Sequence, residues 1–241
     1  MFLKEFRGVC LTGPIPIPHG CAISMGYLIT FEGVEGSGKT TQIAHLERFL
    51  KSKGWQCRVT REPGGSLVGD QIRKILLSSD TTELTPLSEL FLYEANRAQH
   101  VAEVIEPALR SGMIVICDRF WDATLAYQGY ARGLELEMVR NLNHLASHGI
   151  TPDLTLLLDC PVESGLRRAS RRIDAKSPAL REDRFEKESL AFHRQVRDAY
   201  LRIARNEPDR IRVIDASLGE TEIQRIICDI VEARLREIRG G

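Results

Sequence analysis

The sequence predicts an α/β fold, a five-stranded parallel sheet with helices on both faces, and three observations carry that reading. Five short runs rich in Val, Ile and Leu (Tyr27–Phe31, Gln56–Arg61, Met113–Asp118, Leu154–Asp159 and Ile211–Asp215) each end near a polar or glycine-rich turn. Continuous apolar runs of this length suit parallel strands covered on both faces. Helical patterns lie between them, and a glycine-rich loop, Gly33-Val34-Glu35-Gly36-Ser37-Gly38-Lys39-Thr40, joins the first strand to the first helix. Strands alternating with helices imply a doubly wound sheet that binds ligands at the carboxyl ends of its strands.

The elements follow in order. Residues 1–24 alternate Pro14, Pro16 and Pro18 with isoleucines and carry no periodic apolar pattern, so a disordered extension is expected there. Lys4, Glu5 and Arg7 break up its start and no long apolar stretch follows, so no signal peptide is expected. Residues 25–241 read as one domain, without internal repeat or linker. The first helix, Thr40–Lys53, stops at Gly54, a natural C-cap, and a long one, Leu87–Ser111, stops at Gly112. Glu135–Ser147, Asp183–Glu207 and Glu220–Ile238 complete the helical set.

Composition narrows the function classes. Net charge is zero with 27% charged residues, which argues against a protein that grips nucleic acid through its overall field. No apolar run approaches a membrane span, so no membrane partner is expected. Six cysteines are scattered without a C-x-x-C pair, which points away from a disulfide framework or zinc site and toward the cytoplasm. His144 and His148 stand one helical turn apart and read as a solvated helix face rather than as metal ligands.

The glycine-rich loop is a P-loop, and the fold is therefore expected to be that of a P-loop NTPase. Its glycines let backbone N–H groups turn inward around phosphate oxygens, and the helix N-terminus adds partial positive charge. Lys39 should reach the β- and γ-phosphates of ATP, with Thr40 offering its hydroxyl to Mg²⁺ and Thr41 following on the helix. Asp118 closes the apolar strand Ile114–Cys117 and is the preferred carboxylate for Mg²⁺, ahead of Asp159. The D-x-x-G and N-K-x-D signatures of a GTPase are missing. Arg61, Arg73, Arg97, Arg119 and the cluster from Arg167 to Arg184 stand where strands and helices open. Guanidinium groups bind phosphate bidentately, so a small-molecule kinase is favoured over a regulatory nucleotide-binding module.

Further runs carry a family likeness. Thr30-Phe31-Glu32-Gly33 leads into the P-loop, and Thr60-Arg61-Glu62-Pro63-Gly64-Gly65 follows. Asp118-Arg119 precedes Ala126-Tyr127-Gln128-Gly129, Pro152-Asp153-Leu154-Thr155 precedes Leu158-Asp159, and Val213-Ile214-Asp215-Ala216 closes the series. In these runs, from residue 27 to about 235, the chain resembles bacterial thymidylate kinases. The resemblance implies transfer of the γ-phosphoryl of ATP to dTMP, with Mg²⁺, in a homodimer. A kinase for another nucleoside monophosphate is the runner-up.

Site roles come with the resemblance. Tyr93 falls where the family stacks an aromatic ring, usually Phe, on thymine, and Arg97 where an arginine donates to a thymine carbonyl. Arg73 and Arg119 match arginines that hold the acceptor phosphate, and Arg61 lies on the same binding edge. Thr124 and Gln128 match polar positions near the base, and Tyr127 one beside the sugar. Glu35 and Glu62 match carboxylates near sugar and phosphates, and Ala216, Ser217 and Leu218 should run past the adenine. One branch of the family carries a catalytic arginine in the P-loop, where this chain has Gly36. The other carries it in an arginine-rich lid, expected here at about residues 167–184. Arg172 is the best match among Arg167, Arg168, Arg171, Arg172 and Arg181, with Ile173–Leu180 read as an insertion. Phe120 and Ala123 depart from the family's usual Tyr or His and Ser. The acceptor phosphate is ionised at neutral pH, so catalysis needs charge neutralisation and alignment by Lys39, Arg119 and a lid arginine rather than a general base.

Overall fold

The computed structural model describes residues 26–78, 81, 83–174 and 184–240. The extension expected over residues 1–24 lies outside these, as do most of the expected insertion and Arg181.

Five parallel strands form the sheet: β1 (Tyr27–Glu32), β2 (Cys57–Arg61), β3 (Ile114–Asp118), β4 (Leu154–Asp159) and β5 (Ile211–Asp215), in the order β2-β3-β1-β4-β5. All five apolar runs are strands, and β1 is central because both of its faces and both of its edges are covered. Side chains alternate across a strand. Leu28 and Val115 accordingly pack in one cluster with Val101, Ile105 and Leu109, whereas Ile29 and Phe31 join Ile43, Leu46 and Leu50 in the other.

The helices are α1 (Lys39–Ser52), α2 (Leu67–Leu77), α3 (Pro86–His100), α4 (Glu106–Arg110), α5 (Trp121–Thr124), α6 (Leu136–Ala146), α7 (Val162–Asp174), α8 (Leu190–Asn206) and α9 (Glu220–Gly240). Three differ from expectation. The helix expected over Leu87–Ser111 is broken into α3 and α4 by a π-helical turn, Val101–Ile105. Pro107, at the start of α4, has no N–H for the carbonyl of Glu103, and the helix widens there. The helix expected from Asp183 begins at Leu190, because Ser189 caps it by accepting from Phe192 N–H at 3.2 Å. The segment expected to be lid is helical through Asp174, so Arg167, Arg168 and Arg171 stand on α7.

Besides the helical lid segment, α2, α5 and the π-helical turn after α5 were not anticipated. Ser66 caps α2 by accepting from Gly69 N–H, and Gly69 abuts the Gly64 carbonyl and Asn96 so closely that a Cβ would not fit. Residues Leu125–Ala131 form a second π-helical turn after α5. Gly165, near the start of α7, packs its backbone on the P-loop. A Cβ on Gly36 would strike the Gly165 carbonyl, and a Cβ on Gly165 would strike the Glu35 carbonyl. Gly36 also has φ 69°, a left-handed conformation suited to glycine. The two glycines thus join the arginine-bearing helix to the phosphate loop. Gly165→Ala should force these backbones apart, with an expected loss of about 1–3 kcal/mol of stability, read as a lowered urea midpoint. An unchanged midpoint would show that the contact yields without cost.

Candidate active site

The register of the central strands builds the site. Phe31 pairs with Asp118 across β1 and β3, and Arg119 N–H then donates to the Phe31 carbonyl at 3.0 Å. The P-loop after β1 and the Asp118-Arg119 pair after β3 therefore leave the sheet side by side. Arg119 has φ 68°, an uncommon conformation for a side chain with a Cβ and one that concentrates at functional sites.

These elements open on one cavity of about 550 Å³. The P-loop side contributes Glu35, Gly36, Ser37, Gly38, Lys39, Thr40 and Thr41. Lys39 Nζ donates to the carbonyls of Gly33 at 3.0 Å and Val34 at 3.1 Å. Burial, reinforced by the nearby Arg119 cation, lowers its pKa to about 8. Thr40 Oγ1 donates to Asp118 Oδ2 at 3.5 Å. Gly33 and Val34 sit behind the loop and are outside the cavity wall.

The opposite wall contains Arg61, Glu62, Arg73, Tyr93, Arg97, Asp118, Arg119, Thr124, Tyr127 and Gln128, so every acceptor-side residue expected from the sequence lines the same space. Arg119 is held in place by partners on several sides. Its Nη2 donates to Glu35 Oε1 at 2.9 Å, its Nη1 to the Tyr200 hydroxyl at 3.1 Å, and its guanidinium lies 5.1 Å from the Tyr127 ring centre. Tyr127 also donates to Glu35 Oε1, at 2.6 Å. Burial alone would raise the Glu35 pKa. Arg119, the neighbouring His193 ring and the Lys39 charge outweigh it and hold the carboxyl well below the usual range.

Arg97 is almost fully buried, and its guanidinium is already engaged. It pairs with Glu62 through Nε at 2.9 Å and Nη2 at 2.8 Å, with Glu94 through Nη1 at 3.0 Å, with Thr124 Oγ1 at 3.0 Å, and with Asn143. Phe120 packs beneath it, its ring centre 5.2 Å from the guanidinium. Glu62 also faces His100 Nδ1 at 3.0 Å. Gln128 donates to Glu89 at 2.7 Å, Arg73 to the Pro63 carbonyl at 2.8 Å, and the exposed Arg61 stands 3.7 Å from Asp70.

Other assignments fare differently. Ala216, Ser217 and Leu218 follow β5 outside the cavity wall; Ser217 is turned onto Asp215 Oδ1 at 2.8 Å through its N–H. Asp159, the second carboxylate candidate, is held by Arg197 through two bonds of 2.6 and 2.8 Å. Arg172 lies on α7 with its side chain outside the described set, whereas Arg168 reaches the cavity wall. Phe185 and Glu186, which also line the wall, follow the undescribed segment and had no local motif to mark them.

Two residues that support the site had no mark in the sequence. Tyr200 accepts from Arg119 and donates to Glu32 Oε2 at 2.7 Å, and Phe120 N–H donates to Glu32 Oε1 at 2.8 Å. Glu32 therefore anchors Arg119 from beneath the sheet edge. A buried glutamate at a strand end carries no distinctive pattern of its own, so only the fold discloses it.

A family model described as thymidylate kinase matches residues 31–227. A thymidylate kinase of Trichlorobacter lovleyi is 55% identical over 207 residues, covering 86% of this chain and 97% of that protein. One from Geotalea uraniireducens is 55% identical over 213 residues, covering 88% of this chain and 100% of its own. The crystal structure of thymidylate kinase from Ehrlichia chaffeensis superposes with a TM-score of 0.68 at 32% identity, over 86% of this chain and 99% of that one.

Glu32 generates a pH prediction. Burial, together with the nearby Asp122 carboxylate, raises its pKa to about 7. The folded chain then holds the Glu32 proton more tightly than the unfolded chain does. The associated stability is present below the ordinary glutamate range and is lost as pH rises through 7, by on the order of 3 kcal/mol. Glu32→Gln, a neutral stand-in, should flatten that slope in urea midpoints measured from pH 5 to 8. An unaltered slope would remove Glu32 as its source.

Proposed function

The chain belongs to the thymidylate kinase family, and from that premise we infer that it transfers the γ-phosphoryl group of ATP to dTMP, giving dTDP and ADP. One observation carries the reading: Lys39 and Thr40 of the P-loop face Arg73, Tyr93, Arg119 and Gln128 across a single cavity. A phosphoryl donor and a monophosphate acceptor can meet there without crossing a wall. Nothing in this arrangement favours a non-catalytic module or a different acceptor.

On the donor side, the backbone N–H groups from Gly33 to Thr41 cradle the ATP phosphates, and Lys39 leaves the Gly33 and Val34 carbonyls to meet the β- and γ-oxygens. Thr40 and Asp118 form a hard-oxygen pair at the cavity edge, a donor set that fits Mg²⁺. When bound, that ion neutralises phosphate charge. Ala216 to Leu218 pass the adenine.

On the acceptor side, Arg73 and Arg119 hold the dTMP phosphate, with Arg61 at the rim. Tyr93 stacks on thymine, and Thr124 and Gln128 meet its polar edge. Arg97 is the donor to a thymine carbonyl, which requires it to exchange one of its present bonds. Tyr127, Glu35 and Glu62 border the sugar and phosphate. Arg172, brought by closure of the lid, supplies the charge that Gly36 cannot, with Arg168 the neighbour already at the wall. The work is alignment and charge neutralisation, since the attacking phosphate oxygen is already ionised.

A homodimer and a cytoplasmic location complete the reading. Val68 and Ile75 of α2 and Leu87 and Phe91 of α3 are exposed large apolar residues on two helices packed together, the kind of face that a second copy covers. No described helix is long and apolar enough to cross a membrane, and Cys57, Cys117, Cys160 and Cys228 are unpaired.

Two measurements test these proposals. In a coupled ADP-release assay across dTMP, dUMP, dCMP, dAMP and dGMP, dTMP should give the highest kcat/KM, and Lys39→Ala should lower kcat by at least about 10³-fold without changing the far-ultraviolet circular dichroism. A flat substrate profile or an active Lys39→Ala variant would refute the assignment. For the dimer, Phe91→Glu should shift the sedimentation coefficient from that of a dimer to that of a monomer. If the coefficient stays put, the α2–α3 face is not the contact.

A further inference from the structure

Behind the cavity wall, two buried polar groups face each other without a hydrogen bond. His193 stands in the first turn of α8 and is fully buried. Neither of its ring nitrogens has a hydrogen-bond partner among the described residues, and the same holds for Glu35 Oε2. Yet Nδ1 and Oε2 are only 3.4 Å apart. Buried polar groups are nearly always paired, so an unmet pair this close calls for a state of the site that completes it.

The other oxygen of Glu35 is crowded by comparison. Oε1 accepts from Arg119 Nη2 at 2.9 Å and from the Tyr127 hydroxyl at 2.6 Å. Arg119 is also the group assigned above to the acceptor phosphate. A phosphate that draws this guanidinium toward itself takes from Glu35 its charged hydrogen-bond donor and leaves the Tyr127 hydroxyl and the nearby Lys39 charge. Losing a charged donor from a buried carboxylate is costly, and the His193 ring is the nitrogen poised to replace it. Its surroundings hold it there: the Phe192 ring lies edge-on at 5.7 Å, and Arg132 covers the Phe192 ring at 4.6 Å.

Resting on the acceptor-site reading above, we propose that His193 is a positioning residue for Glu35. When the monophosphate binds, His193 Nδ1–H donates to Glu35 Oε2 and keeps the carboxylate against Tyr127 while Arg119 turns to the substrate. His193 touches neither nucleotide and acts on acceptor affinity through Glu35.

Steady-state kinetics of the full chain test this with two substitutions. His193→Phe keeps a flat ring beside Phe192 and removes the donor, whereas His193→Asn places an amide N–H near the position of Nδ1. The Phe variant should raise KM for dTMP about ten-fold while KM for ATP and kcat move less than about two-fold. The Asn variant should recover most of that loss. In a Glu35→Gln background, His193→Phe should add less than about two-fold. Equal rises in both KM values, an unchanged KM for dTMP, or an Asn variant no better than Phe would overturn the proposal. If the Phe variant does not fold, ¹⁵N-histidine spectra of the unmodified protein decide: dTMP should shift the His193 Nδ1 resonance and ATP alone should not, and a resonance indifferent to dTMP overturns it. Turnover of dTMP by the unmodified protein is measured first. Its absence overturns the acceptor reading itself, whereas turnover with a silent His193 overturns only the positioning role.

Discussion

The pairing of β1 with β3, with Phe31 opposite Asp118, is the constraint on which the rest of the site depends. It brings the P-loop and the Asp118-Arg119 pair out of the sheet at adjacent points, so that Thr40 meets Asp118 and Arg119 meets Glu35. A one-residue slip would send each of these side chains to the opposite face. The register is fixed by burial on both sides, because Ile29 and Ile116 belong to one core cluster while Leu28 and Val115 belong to the other. Any slip exchanges those faces and places Thr30 and Glu32 in the apolar layers. The positive φ of Arg119 follows directly: the chain must turn sharply off the strand for its guanidinium to face the cavity rather than the solvent.

Around that point the cavity wall is held by buried ion pairs. Arg97 is shared between Glu62 and Glu94, Arg119 is joined to Glu35, and Arg132 and Arg184 converge on Glu89 beside Gln128. Buried pairs of this kind contribute little net stability, since desolvation offsets most of the attraction. Their value lies in geometry. Each fixes a cation in or beside the cavity wall in one orientation. Arg97 is the tightest case, because its bonds to Glu62, Glu94, Thr124 and Asn143 are all internal. On the reading proposed above, a ligand there would exchange with one of these partners rather than fill an open donor. The same logic links Arg119 to Glu35, Tyr200 and Glu32, which together reach from the cavity to the underside of the P-loop strand.

The parts legible in the sequence were those with local causes. Apolar runs gave all five strands, and the loop Gly33–Thr40 gave its own conformation, since Gly36 and Gly38 occupy positions that favour glycine. Gly54 and Gly112 mark helix ends for the same reason. Less visible were α2, whose Gly69 breaks the helical pattern, and the π-helical turn starting at Val101, which reflects the missing N–H of Pro107 six residues further on. Gly69 is required by the close approach of the Gly64 loop and Asn96, a contact between distant segments that no window of sequence contains.

The sequence by itself determined the order of strands and helices, the phosphate loop and the identity of the arginines, because these depend on residues within a few positions of one another. Only the tertiary structure decided which charges are engaged and which face the cavity. That Arg97 is internally satisfied, that Asp159 is taken by Arg197, and that Tyr200 and Glu32 hold Arg119 follow from contacts 35 to 168 residues apart in the chain. Hydrogen bonds are short-ranged and directional, so the partner of a polar side chain is settled by what the packed sheet and helices bring within about 3 Å, not by its neighbours in sequence.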